Sequence, residues 1–357
     1  MTEQMRECGK QNSSKAARTR CLDILRVAAT LAVVLLHVLS GAVVSRGYFA
    51  NDGEETIYWI LMDLVSWSVP VFLMISGYLF LNPGKRITLK EMYGKYVSRI
   101  VLALLLFGVP FAGMELVLSE KCFRVNMIWR SLWMVLTGKS WAHMWYLYLI
   151  LVLYLFTPLI KWVLERLPVR VIRLGMVLIF AETSLIPFVR FCMGNTDIAI
   201  FWPGGIYLFF YLEGYLLHLR KKNTSKMQVP GMLAIAVCMI GIACFSRITK
   251  IFWVNMAYNH PYTVILSMIF MRLAFACEGF LQKKNTALWE KLSGLCFGIY
   301  LTHPIFLNLF YKGFHKTIFD FRYPYLMLPL FWVGALGGAM VLSILLGRIK
   351  WLKKHVL

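Results

Sequence analysis

The sequence predicts an all-α integral membrane protein with about ten transmembrane helices. Of its 357 residues, 59% are hydrophobic and only 15% are charged, and the mean hydropathy is +0.66. A water-soluble fold of this length could not bury that much apolar surface, so lipid must solvate a large part of the chain. Two further observations support this class: apolar stretches of spanning length recur along the chain, and basic residues concentrate in the short loops between them.

The apolar stretches divide the chain into a membrane domain with two basic tails. The predicted spans are 24–44, 57–81, 100–119, 144–164, 170–189, 200–219, 227–246, 261–280, 292–311 and 324–347. Before the fourth span, EKCFRVNMIWRSLWMVLTGKSWAH predicts a short interfacial or re-entrant helix. We expect a cytoplasmic tail over residues 1–21, a membrane domain over 22–347 and a short cytoplasmic tail over 348–357. The eight cysteines form no CxxC pair, and Cys122 and Cys192 can be paired or free on the outer side.

The distribution of charge predicts the topology. A net charge of +21 in a soluble protein would suggest a nucleic-acid partner, but no basic aromatic platform or nucleic-acid motif accompanies it. If the N-terminus is cytoplasmic, the cytoplasmic segments hold 25 of the 38 Lys and Arg residues and the outer loops hold 11. The positive-inside rule then places both termini in the cytoplasm. The first apolar segment is too long for a signal peptide, which favours an uncleaved first helix.

Ionisable residues inside predicted spans are costly to place in lipid, which makes them candidates for function. They are Arg26, His37, Asp63, Glu182, Glu213, Arg272, Glu278 and His303. In LDILRVAATLAVVLLHV, Arg26 and His37 are eleven residues apart, or about three helical turns, so they share one face about 16 Å apart along the axis. Structural roles are the alternative: Arg26 can reach the cytoplasmic headgroups, and His37 can hydrogen-bond a neighbouring helix.

Three other motifs carry polar or small residues at membrane depth. In SVPVFLMISGYLFL, Gly77 allows either another backbone or a ligand to approach closely. In HMWYLYLILVLYLFTPLI, His143 lies at the predicted outer interface beside two aromatic residues. In GIYLTHPIFL, His303 precedes Pro304, which frees a backbone carbonyl that the histidine can satisfy. Each motif therefore has a packing interpretation beside a functional one.

Taken together and in order, these segments resemble the acyltransferase-3 family of integral membrane acyltransferases over essentially the whole chain. The resemblance rests on LDILRVAATLAVVLLH, VPVFLMISGYLF, KYVSRI, HMWYLYLILVLYLFTPLI and GIYLTHPIF, and its most specific element is the arginine–ten residues–histidine spacing. Members have ten helices and move an acyl group, commonly acetyl, from cytoplasmic acyl-CoA to hydroxyls of envelope sugars or other extracytoplasmic acceptors. Without an additional hydrolase-like or racemase domain, the chain resembles the stand-alone type, the surface-polysaccharide O-acyltransferases.

On the donor side, the resemblance implies a catalytic role for His37, either as the base or as an acyl carrier, with Arg26 near the cytoplasmic mouth. Arg26 would bind polar groups of the donor or orient the site through Asp23. Arg99, and less directly Lys95, would attract the phosphates of CoA. The acyl or pantetheine part of the donor would contact Ser76, Gly77 and Tyr78.

On the acceptor side, His143, Trp145 and Tyr146 would receive the sugar, because aromatic faces suit sugar rings. His303 would lie on the acceptor side or support the site from behind. We expect no permanently bound cofactor and no metal, with acyl-CoA acting as the donor substrate.

The expected partners are the lipid bilayer, acyl-CoA and an extracytoplasmic glycan or lipid-linked sugar, in a bacterial cytoplasmic membrane. The acceptor, the acyl group and homo-oligomerisation stay open. The main alternative is a membrane transporter or exporter that uses the buried Arg, His and carboxylate groups, although no pair of broken helices in two halves supports it. A non-catalytic scaffold would leave the Arg26 and His37 pair unexplained.

Overall fold

Helices form all the regular structure in the residues that the computed structural model describes, which are 20–85, 87–194, 202, 204–220, 228–250, 257–278 and 286–357. No strand occurs in these ranges. The predicted class is confirmed: the chain is an all-α membrane protein. Almost all of the predicted N-terminal tail, residues 1–19, lies outside the described residues.

The described helices are numbered in chain order. They are α1 (Arg20–Arg46), α2 (Asp52–Val65), α3 (Ser68–Phe80), α4 (Leu89–Glu120), α5 (Asn126–Leu136), α6 (Ala142–Leu164), α7 (Val169–Cys192), α8 (Gly205–Arg220), α9 (Val229–Ile248), α10 (Pro261–Ala276), α11 (Thr286–Asn308), α12 (Pro324–Leu346) and α13 (Lys350–His355). Helix α4 contains π-helical turns at Met92–Val97 and Leu104–Gly108, and α7 contains one at Ala181–Leu185.

Each of the ten predicted spans overlaps a described helix. Eight segments are long and apolar enough to cross a membrane: α1, α2 with α3, α4, α6, α7, α9, α11 with its continuation to Asp320, and α12. The remaining two predicted spans correspond to α8 and α10, which have 16 residues each. The predicted ends at 200–204 and 277–280 fall partly outside the described residues. The count of ten spans stays a prediction.

The second span differs from the continuous helix predicted over 57–81. It begins earlier, at Asp52, and is interrupted between α2 and α3 at Ser66 and Trp67. The hydroxyl of Ser66 donates to the carbonyl of Asp63 at 2.9 Å, and that of Ser68 donates to the carbonyl of Val65 at 2.7 Å. Serine hydroxyls that bind nearby carbonyls offer the backbone an alternative to the helical ladder, which explains the break.

The short helix predicted before the fourth span is present as α5 and packs on α4. One face of α5 is buried through Met127, Ser131 and Val135. The opposite face exposes Trp129 and Trp133, with 72% and 67% of their surfaces accessible. Tryptophan is the residue that most favours the boundary between lipid tails and headgroups, so this face suits an interfacial helix.

Helix α1 lies at the centre of the fold and packs against α3, α11 and α12. Helices α3 and α8 pack closely against each other, because glycine stands on both sides of the contact. A Cβ added at Gly77 would lie 1.8 Å from the carbonyl oxygen of Tyr211, and one at Gly214 would lie 2.2 Å from that of Met74. The two backbones therefore touch directly, as small residues permit between membrane helices.

Contacts between distant segments agree with the predicted arrangement of the loops. Lys312 binds Glu115 at 2.6 Å, and both residues belong to the end predicted to be extracytoplasmic. The Arg99 Nε donates to the Val356 carbonyl at 2.8 Å, and both belong to the end predicted to be cytoplasmic. Which of the two ends faces the cytoplasm stays a prediction. Cys122 and Cys192 are free thiols.

Candidate active site

A cavity of about 760 Å³ lies between α1, α3, α4, α6 and α11. Along α1 its wall extends from Arg26 to Ser40. Fourteen residues of helix rise by about 21 Å, so the cavity crosses much of the thickness of a bilayer core. Arg26 and Arg99 lie towards one end, and His37, His143 and Trp145 lie towards the other. The cavity is therefore cationic at one end and lined by imidazole and aromatic rings at the other.

At the cationic end, Arg26 is held by a neighbouring carboxylate. One terminal nitrogen of Arg26 donates to Asp23 at 3.1 Å, and the hydroxyl of Ser293 donates to the same carboxylate oxygen at 2.8 Å. Asp23 is almost completely buried, whereas 27% of the Arg26 side chain is accessible. A guanidinium carries five N–H groups, so Arg26 keeps donors for an anion in the cavity.

The guanidinium of Arg99 lies beside the last residues of the chain. Its Nε donates to the carbonyl of Val356, and its Cζ lies 5.2 Å from the centre of the Phe297 ring. Val356 is fully buried, and Leu357 contributes to the cavity wall. The segment after α12 thus closes part of this end and orients the arginine.

Hydroxyl groups line the middle of the cavity. Ser76 on α3 faces the phenol groups of Tyr146 and Tyr154 on α6, and all three residues contribute to the wall. Tyr154 lies eight residues, or about 2.2 helical turns, after Tyr146, so the two side chains are about 80° apart around α6 and both reach the cavity. A ligand that extends through the cavity therefore meets hydrogen-bonding groups along its length.

Three histidines cluster at the other end. The ring centres of His37 and His303 are 5.1 Å apart, those of His143 and His303 are 5.7 Å apart, and those of His37 and His143 are 6.4 Å apart. The hydroxyl of Tyr300 donates to the carbonyl of His143 at 2.5 Å and fixes the start of α6. Among the described residues, no group of three or more His, Cys, Asp or Glu side chains is placed to hold a metal ion.

The histidines differ in exposure to the cavity. His37 and His143 contribute to the cavity wall, whereas His303 is fully buried behind them. The Nδ1 of His303 lies 3.1 Å from the carbonyl oxygen of Ile299. The Nε2 atoms of His143 and His303 are buried and have no hydrogen-bond partner within the part of the chain that the structure describes.

Beyond the histidines, the cavity is bordered by a group of aromatic rings. The ring centre of Trp145 lies 5.7 Å from those of both Tyr207 and Tyr258, which come from α8 and from the residues before α10. All three line the cavity. They form an amphipathic surface of apolar faces and phenol hydroxyls next to His143.

The cavity therefore combines a cationic end, a polar middle and an imidazole cluster beside an aromatic surface. A sequence profile of the acyltransferase-3 family, described as an acyltransferase domain, matches residues 19–348. The chain belongs to the acyltransferase-3 family. It is therefore a multi-pass membrane acyltransferase. No curated protein and no solved structure matches the chain.

Of the residues predicted for the site of this acyltransferase, most meet at the cavity and three do not. The wall contains Arg26, His37, Ser76, Arg99, His143, Trp145 and Tyr146, with His303 directly behind it. Gly77 contacts the backbone of α8 instead, and Tyr78 packs between the rings of His218 and Phe275. Lys95 is exposed, and its Nζ lies 5.2 Å from the centre of the Tyr96 ring. None of these three residues contributes to the cavity wall, so the structure gives no support for their predicted contacts with the donor.

The other ionisable residues predicted inside spans are bound to groups outside the cavity wall of the acyltransferase. Asp63 binds Arg247 through two nitrogens at 2.7 and 3.1 Å, and Glu213 binds Arg272 at 3.3 Å. Glu182 accepts from the backbone N–H of Trp202 at 3.1 Å, and Glu278 accepts from the backbone N–H groups of Arg20 and Cys21 at 3.1 and 2.8 Å. These contacts join separate helices or helix ends. They explain the polar residues as connections within the fold.

Sequence reasoning missed several tyrosines of the site. Tyr96, Tyr154, Tyr207, Tyr258 and Tyr300 all contribute to the cavity wall. Tyr154 was detectable in principle, because it lies about two turns after Tyr146 on the same helix at membrane depth. The others come from different helices and loops, and only the tertiary fold brings them to the same cavity.

Proposed function

We propose that this acyltransferase moves an acyl group, in the favoured case acetyl, from cytoplasmic acyl-CoA to a hydroxyl of an extracytoplasmic glycan or glycolipid of the cell envelope. The proposed location is the cytoplasmic membrane of a bacterium. The observation that carries the proposal is the single cavity that reaches from Arg26 and Arg99 to His37 and His143. A donor and an acceptor arriving from opposite sides could meet inside it.

The cationic end suits the charged part of the donor. Phosphate groups of CoA would remain near Arg26 and Arg99, whose guanidinium groups give charge-assisted hydrogen bonds to phosphate oxygens. The thioester would then have to extend to His37, about 16 Å along α1. The pantetheine arm of CoA is of that order of length. Ser76, Tyr146 and Tyr154 would hydrogen-bond its amide groups on the way.

The histidine end suits the transfer step. His37 would take the proton of the acceptor hydroxyl while the hydroxyl oxygen attacks the carbonyl carbon of the thioester. The carbon–sulfur bond then breaks, and the proton passes from His37 to the sulfur of CoA. An acyl-histidine intermediate would use the same free nitrogen of His37. In this mechanism His143 would donate to the oxyanion that forms at the thioester oxygen.

The aromatic surface suits a sugar acceptor. Sugar rings present C–H groups on one face and hydroxyls at the edge, and such a ring can lie on Trp145 with its hydroxyls towards Tyr207, Tyr258 and His143. This arrangement would hold one hydroxyl beside His37 and exclude bulk water from the thioester.

The test is transfer of labelled acetyl groups in membranes of cells that express the protein, with mass spectrometry of the envelope glycans. We expect His37→Gln to lower the transfer rate at least about a hundredfold, the usual contribution of a general base. His315→Asn is the matched control, because His315 is exposed, lies outside the cavity and has a positive φ of 51° that asparagine tolerates.

Two outcomes would contradict the proposal. Equal transfer by the His37→Gln variant and the control would remove His37 from the mechanism. If neither protein consumes acetyl-CoA while both carry a glycan across vesicle membranes, the chain works as an exporter.

A further inference from the structure

His303 presents a buried hydrogen-bond acceptor that the fold leaves unused. Its Nδ1 lies 3.1 Å from the carbonyl oxygen of Ile299. A carbonyl oxygen only accepts hydrogen bonds, so Nδ1 must carry the hydrogen. A neutral ring, which is far less costly to bury than an imidazolium, then has its lone pair on Nε2. That Nε2 is buried and unpartnered among the described residues, a state that native structures rarely tolerate.

Among the described residues, the rings in contact with His303 that carry donors are those of Tyr300, His37 and His143. The ring centre of Tyr300 is 6.2 Å away, but its hydroxyl already donates to the carbonyl of His143. The ring N–H groups of His37 and His143 are the remaining donors of the cluster. Only one of the two rings stands at the separation that a hydrogen bond between imidazoles requires.

The distances between ring centres decide which one. An in-line N–H···N bond with about 3 Å between the nitrogens places the centres of two imidazole rings about 5.2 Å apart. The centres of His37 and His303 are 5.1 Å apart, whereas those of His143 and His303 are 5.7 Å apart. Forming this bond requires the His37 ring to rotate about its Cβ–Cγ bond so that an N–H points towards His303.

We propose that His303 is a positioning residue whose Nε2 accepts a hydrogen bond from a ring N–H of His37. The bond holds His37 in one tautomer, so that its other nitrogen carries a lone pair towards the cavity. It also stabilises the His37 imidazolium that forms when the acceptor proton is taken up. The catalytic consequence rests on the proposed function, whereas the hydrogen bond is a property of the folded protein and can be tested without substrate.

The chain offers a matched pair of variants at this position. In His303→Asn, the side-chain N–H₂ can still donate to the Ile299 carbonyl, but the amide is too short to reach His37. In His303→Gln, the longer side chain places its oxygen near the former Nε2 and keeps an acceptor for His37. Both replacements are neutral amides, so they are similarly costly to bury and differ chiefly in the acceptor.

The readout is solid-state NMR of the full chain in lipid vesicles, labelled with ¹⁵N-histidine, in which His37→Gln assigns the His37 signals. We expect one His37 tautomer in the parent and in His303→Gln, and a mixture of tautomers in His303→Asn. An unchanged His37 spectrum in His303→Asn overturns the proposal. If that variant is not recovered folded, the fallback measurement is the nitrogen–nitrogen coupling between His37 and His303 across the hydrogen bond in the parent protein. Absence of this coupling overturns the proposal.

Activity gives an independent readout with acetyl-CoA as donor and the membranes' own glycans as acceptor. We expect His303→Asn to lower kcat about tenfold to a hundredfold, as loss of a partner that orients a histidine does, with the KM for acetyl-CoA unchanged. His303→Gln should retain most of kcat. If His303→Asn changes the His37 tautomer but His37→Gln does not affect transfer, the hydrogen bond is supported and the proposed function is refuted. The reverse pattern, a His37-dependent reaction with an unaltered His303→Asn spectrum, refutes only the positioning role.

Discussion

Replacing Gly77 by alanine separates two roles that the sequence leaves open, contact with the donor and contact with another helix. An alanine Cβ would lie 1.8 Å from the carbonyl oxygen of Tyr211, a severe overlap with backbone. Reaching an ordinary separation of 3.4 Å requires α3 and α8 to move apart by about 1.6 Å at this point. A backbone carbonyl cannot rotate out of the way as a side chain can, so the whole helix contact must open.

The size of the effect follows from two opposing contributions. Overpacking of this kind costs about 1–3 kcal/mol, and obstruction by backbone favours the upper end of the range. Alanine recovers up to about 1 kcal/mol of helix propensity relative to glycine. We therefore expect Gly77→Ala to destabilise the fold by about 2 kcal/mol. Gly241→Ala, where nothing lies within 4 Å of the added Cβ, should be neutral or slightly stabilising.

The assay compares apparent Tm values of the two purified variants in one detergent at one scan rate, because membrane proteins commonly unfold irreversibly. The KM for acetyl-CoA is measured below the transition. Gly77→Ala should lower the Tm and leave that KM unchanged, whereas Gly241→Ala should alter neither. A Tm equal to that of Gly241→Ala, together with a raised KM, would refute the packing explanation and restore Gly77 as a donor contact.

Two further predictions use charged residues with matched controls. Asp63→Asn removes the charge of a buried carboxylate that accepts two hydrogen bonds from Arg247, and should destabilise the fold by about 3–5 kcal/mol. Asp52→Asn, the control, breaks an exposed contact with a lysine and should leave the Tm unchanged. Equal Tm values for the two variants would contradict this. Arg99→Gln should raise the KM for acetyl-CoA at least about tenfold by removing a charged donor to phosphate, while Lys95→Gln, outside the cavity wall, should change it much less. A larger effect at Lys95 would show that the donor lies outside the cavity.

The class of fold follows from the sequence because hydropathy and helix length depend on local composition. All ten predicted spans overlap helices for this reason. The break at Ser66 and Trp67 was not predicted, since hydroxyl groups compete with the helical ladder only in particular rotamers. Which helices touch also needs tertiary information: nothing local pairs Gly77 with Gly214, although each glycine is visible in the sequence.

The candidate site also contains residues that local sequence places and residues that only tertiary packing places. Arg26 and His37 could be placed on one face because both belong to one helix, and helical periodicity is local. His303 and His143 were recognised as isolated polar residues, but their closeness to His37 depends on the packing of α1, α6 and α11. The role of Tyr258 had no signal in the sequence, since it lies in a loop that reaches the cavity only in the folded chain.

The proposed donor and acceptor contacts differ in how many segments of the chain supply them. The distance between Arg26, at the proposed donor end, and His37, at the proposed transfer end, is set by eleven residues of a single continuous helix, so movements of neighbouring helices cannot change it. The aromatic surface beside the histidines comes from three separate segments, which contribute Trp145, Tyr207 and Tyr258. Substitutions there would reshape the proposed acceptor end without altering the proposed reach of the donor. If the proposed function is correct, donor length is therefore the constrained property of this fold, and acceptor identity is the adaptable one.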